Sequence, residues 1–106
     1  MKNNDNLNKA LLKQQVNDIR KEHQMTINKL EDTLHILLKR YETTEITDEE
    51  IIHFKNANDK ILRNIKDIME VEVECIQQKE MPSYMRLENI KAQYINLMSI
   101  IENIIY

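Results

Sequence analysis

Large side chains recur along the first part of the chain at Leu12, Val16, Ile19, His23, Ile27, Leu30, Leu34, Leu37 and Tyr41. Every interval is three or four residues, which puts these positions on one face of a helix. Two successive four-residue steps flank His23, a drift toward an eleven-residue repeat that locally unwinds a left-handed supercoil. The pattern predicts a helix over residues 7–42, roughly 54 Å long.

The segment YETTEITDEE ends it. Thr47 followed three residues later by Glu50 is a capping box, with Asp48 and Glu49 where a helix start favours negative charge. Ile46 and Ile51 stand at the positions of a hydrophobic staple across that cap. A second stripe runs through Ile51, Phe54, Asn58, Ile61, Ile65, Ile68, Glu72 and Cys75, again in steps of three and four, and predicts a helix over 48–80. Leu62, Met69 and Ile76 widen it along one flank. Asn58 and Glu72 are polar intrusions of the kind that set helix register or lie at a solvated edge. The alternation VEVEC is read as helix, because no partner strand exists for it.

Pro82 cannot continue a helix and biases Met81 away from helical angles. Ser83 is a candidate cap for a third helix, and Pro82 a candidate for its first turn. The third stripe is Leu87, Ile90, Tyr94, Leu97, Ile101 and Ile104, predicting a helix over 83–105. Short connections make neighbouring helices antiparallel. The reading is therefore all-α: a single domain over 1–106, with residues 1–6 disordered, folded as a three-helix antiparallel bundle with a long coiled-coil-like hairpin. The third helix, near 35 Å, is expected to stop well before the tip of a hairpin roughly 50 Å long.

That mismatch leaves apolar side chains at the tip and the tail with too few helices to bury them. Leu34, Leu38, Tyr41, Ile46, Ile52, Phe54, Ile95, Ile105 and Tyr106 are accordingly the expected partner-binding residues. In the tail segment YINLMSIIENIIY, seven apolar residues span an arc of about 160°, wide enough to touch two helices, with Ile95 and Tyr106 outside it. The segment is too short to cross a bilayer, and no cations come after Lys91 to favour a membrane surface. It is expected to be mainly core, with its outer edge and the hairpin tip meeting a partner.

Composition narrows the class further. The 106 residues include no Gly and one Pro, which argues against chains built on tight turns between strands. A single Cys75 excludes an internal disulfide framework, and residues 1–13 lack the apolar core of a secretory signal. Both fit a cytoplasmic location. Abundant Ile, Asn and Lys fit an AT-rich genome, such as that of a low-GC bacterium or its phage. The formal charge of −3 divides unevenly: residues 1–42 carry eight basic and six acidic groups, 43–80 five and ten, and 81–106 two of each. A basic first segment beside an acidic second one favours their pairing and does not resemble the concentrated footprint of a nucleic-acid binder.

No catalytic constellation stands out. Glu50 and His53, with Asp32 and His35 on the facing helix, offer two carboxylate-x-x-His pairs of the type that hold metals in bundles. Two further carboxylates are missing and Glu50 is needed as a cap, so no metal or other cofactor is assigned. His23 reads as a core-edge group hydrogen-bonded to a neighbouring helix, and Cys75 as small apolar packing. Glycine-rich phosphate loops are excluded by composition. Lys55, Lys60, Arg63 and Lys66 share their half of the second helix with Asp59, Asp67 and Glu70, the usual solvated surface. The expected function is that of a non-enzymatic, oligomeric helical protein, most economically a homodimer, that binds another protein as adaptor, scaffold or inhibitor. A nucleic-acid-binding regulator built on the same dimer is the alternative, and no membrane partner is expected.

Overall fold

The computed structural model describes residues 2–106 as three helices: α1 (Lys2–Tyr41), α2 (Asp48–Gln77) and α3 (Met81–Ile105). They run up, down and up in a rod 62 Å long and 18 Å by 16 Å across. The long axis is that of α1, whose 40 residues span about 60 Å. Helix α3 packs closely on both α1 and α2, whereas the backbones of α1 and α2 approach each other less. The core seam runs along the predicted stripes: Leu12, Val16, Ile27 and Leu34 from α1, Phe54, Ile61, Ile68 and Cys75 from α2, and Leu87, Ile90, Tyr94, Leu97 and Ile101 from α3.

Helix α1 begins at Lys2, ahead of the expected residue 7. Of the six residues expected to be disordered, Met1 lies outside the described residues and 2–6 continue the helix, since no Pro or Gly interrupts them. The α1–α2 connection matches the expected cap. Thr47 accepts from the Glu50 N–H at 3.1 Å while the Glu50 carboxylate accepts from the Thr47 N–H at 3.1 Å, so the capping box is complete.

The second connection is tighter than expected. Helix α2 ends at Gln77, three residues early, in a six-to-one turn: the Glu80 N–H bonds the Cys75 carbonyl at 2.8 Å and the Lys79 N–H that of Ile76 at 3.1 Å. Lys79 takes φ 58°, the left-handed conformation for which such a turn ordinarily recruits glycine. Glu80, rather than Ser83, caps α3; its carboxylate accepts from the Ser83 N–H at 3.0 Å, and Pro82 occupies the first turn. Glu80 is itself buried and meets Lys13 of α1 at 3.7 Å.

This early restart carries α3 further than its sequence range implied. Asn103 and Ile104 share a groove with Leu38, Tyr41 and Ile46, so the tail reaches the α1–α2 connection and does not stop well short of it.

Candidate interaction surface

Two buried polar clusters hold α3 in register before any surface is presented. In the first, each helix contributes one group. The Tyr94 ring is fully buried, and Asn64 Nδ2 donates to its hydroxyl oxygen at 3.3 Å. The hydroxyl proton is then free for His23 Nδ1, 2.6 Å away, which puts the imidazole proton of neutral His23 on Nε2. Burial lowers the His23 pKa, with Glu22 and Asp67 opposing, and this favours the neutral form that the bond requires. The expectation of a core-edge histidine bonded to a neighbouring helix is met.

In the second cluster, Glu72 of α2, one of the two polar intrusions, is buried against α3. Lys91 Nζ lies 2.7 Å from Glu72 and 2.8 Å from Glu88, bridging the two carboxylates. The second oxygen of Glu72 has no hydrogen-bond partner among the described residues. Burial raises the Glu72 pKa, as does Glu88, against the pull of Lys91; Glu88 is held low by its bond with Glu72 and by Lys91. The cluster behaves as one unit in which Glu72 is the carboxyl closest to taking up a proton. Asn58, the other intrusion, is also buried, and its Oδ1 is likewise unpartnered among the described residues.

The remaining candidate groups lie apart from these clusters. Glu50 is occupied by Arg40, Tyr41 and Thr47. His35 is exposed and His53 lies at the rim of an apolar groove of about 360 Å³ with Leu30, Leu37, Ala57 and Ile101. Among the described residues no three His, Cys, Asp or Glu side chains converge as metal ligands. Cys75 is fully buried, and burial together with Glu80, Glu72 and Glu74 pushes its thiol pKa up, away from reactivity. Among the described residues no helix is long and apolar enough to cross a membrane.

The nine residues expected to meet a partner divide into groups. Leu34 and Phe54 are core, 4% and 7% exposed, and offer no surface of their own. Tyr41, Ile46 and Ile105 are half-buried against that core, because α3 reaches far enough to help cover the tip. Leu38, Ile52, Ile95 and Tyr106 are exposed. Ile95 and Tyr106 fall outside the buried arc of the tail, as its helical phase implied.

A further aligned apolar strip lies on the flank of α2 beside α3. Leu62, Met69, Val73 and Ile76 are 51%, 50%, 53% and 55% exposed and occupy an arc of about 60° on α2. Leu62 also lines a groove between α2 and α3 with Asn58, Met98, Ile105 and Tyr106. Ile95, one turn before Met98, extends the same edge. Leu62, Met69 and Ile76 were visible in the sequence as a widening of the α2 stripe. That the widening turns toward solvent at the α3 edge was not visible, because it depends on where α3 sits.

Fold and surface together define an all-α, antiparallel three-helix bundle with an apolar flank. Compared with protein-family models, with curated proteins and with solved structures, the chain matches none.

Proposed function

We propose that this protein is non-enzymatic and acts by protein–protein contact, as an oligomeric helical adaptor, scaffold or inhibitor. The observation that carries the reading is the α2 flank: four large side chains, each half-exposed and aligned on one edge. Covering the exposed half of such a side chain contributes about 1 kcal/mol, so the flank supplies roughly 3–6 kcal/mol from one chain. Association costs an estimated 4–15 kcal/mol, which a matching apolar face on the partner is needed to offset.

The test has two parts. Purified protein is expected to bind a dye that reports exposed apolar surface, and to retain partners from its native host. Both signals should fall together when Met69 and Ile76 are replaced by Glu, with helicity unchanged. A monodisperse monomer that binds no dye and loses nothing on these substitutions overturns the proposal.

A further inference from the structure

We propose that the occupant of the α2 flank is a second copy of this chain, docked antiparallel about a two-fold axis at the level of Met69. The inference deepens the reading of the protein as one that works by protein contacts, and rests on it. Its basis is self-complementarity, which an interface between identical copies requires: whatever lies a given distance before the axis must fit what lies the same distance after it.

The flank meets that condition. Leu62 and Ile76 both lie seven residues from Met69, so an antiparallel copy sets each opposite the other, and Met69 opposite itself. Four residues out, exposed Val73 comes opposite Ile65, which is half-buried at the same edge. The flank also carries exposed charges: Lys66, about 40° around α2 from Leu62 and three residues before Met69, and Asp59 beyond its N-terminal end. A parallel copy in register would set Lys66 against Lys66 and Asp59 against Asp59, whereas the antiparallel copy holds the two Lys66 residues about 9 Å apart along the helix. The charges therefore select the antiparallel arrangement, in keeping with the use of rim charges to fix register.

The size of the face sets the strength. From Leu62 to Ile76 it runs about 21 Å, and the bundle is at most 18 Å wide. Two copies then cover under about 1,000 Å², in the range of weak, transient interfaces. The dimer is accordingly a weak one, in exchange with its monomer.

Thiol crosslinking tests the geometry. The buried Cys75 is first replaced by Ser. Single cysteines are then introduced as Met69→Cys, Leu62→Cys and Ile76→Cys, with Met25→Cys on the exposed side of α1 as control. A short bifunctional maleimide is expected to link Met69→Cys to itself. The Leu62→Cys and Ile76→Cys proteins should each resist self-linking, since identical positions stand about 21 Å apart along the axis, yet should link to each other when mixed. Sedimentation of the unsubstituted protein should show a concentration-dependent dimer that Met69→Glu abolishes.

Self-linking at position 62 or 76 without linking at 69 overturns the antiparallel axis. A monomer at high micromolar concentration overturns the second copy altogether. If that monomer still binds dye and loses a heterologous partner on Met69→Glu, only this inference falls. If it binds neither, the proposed function falls with it.

Discussion

Replacing Lys91 with Met removes the cation in contact with buried Glu72 while keeping the length of the side chain. Glu72 is 5% exposed and Lys91 16%, so the carboxylate cannot recover its lost partner from bulk water. Breaking a buried ion pair on one side costs about 3–5 kcal/mol in general. Here the carboxyl has an escape. It can take up a proton, and from an ordinary glutamic acid pKa of about 4.3 that costs no more than about 3.7 kcal/mol at pH 7.

The wild-type Glu72 pKa already lies above its ordinary value, which lowers the ceiling further. The expected loss is therefore about 2–3 kcal/mol near neutral pH. It also carries a pH signature. In Lys91→Met the folded state binds a proton at Glu72 that the unfolded state releases, so the variant loses stability as pH rises from about 4.3 toward the raised folded pKa. The deficit relative to wild type should shrink to under about 1 kcal/mol near pH 5. Adding Glu72→Met removes the stranded carboxyl and should restore most of the loss at neutral pH, because a packed apolar pair replaces a buried ionic one at little cost.

Urea unfolding followed by far-UV circular dichroism, at one protein concentration and at both pH values, measures all three proteins. A deficit that does not change with pH, or a double variant no more stable than Lys91→Met, would refute the reasoning.

The strained turn and the buried histidine give two further expected outcomes. Lys79→Gly should raise stability by roughly 0.5–1 kcal/mol, since a left-handed residue with a Cβ carries a steric penalty that glycine lacks; unchanged or lower stability in the same urea titration would contradict the turn geometry. His23, whose pKa burial lowers against Glu22 and Asp67, binds a proton more readily unfolded than folded, so wild-type stability should decline as pH falls below about 6.5. His23→Gln should flatten that decline between about pH 6.5 and 5.5, and an unaltered slope would exclude His23 as its source.

Much of this architecture was legible in one dimension. The three stripes are strong because an amphipathic helix writes its buried face at a fixed period, whatever it packs against. The Thr47–Glu50 cap was legible for a similar reason: both partners lie within one turn, so the bond depends only on local geometry. Absent glycine removed the strand alternatives, and the wide apolar arc of the tail marked α3 as a helix with two neighbours.

What tertiary structure alone decided concerns level and phase between helices. The turn at Lys79 starts α3 early, and its packing along both other helices carries the tail to the connection beyond Leu38. Leu34 and Phe54 thereby became core where the sequence placed a surface. The same packing left Leu62, Met69, Val73 and Ile76 on an outer edge. A stripe records which residues prefer to be buried; how much of it finds cover depends on where the other helices lie, and periodicity along a single helix carries no information about that.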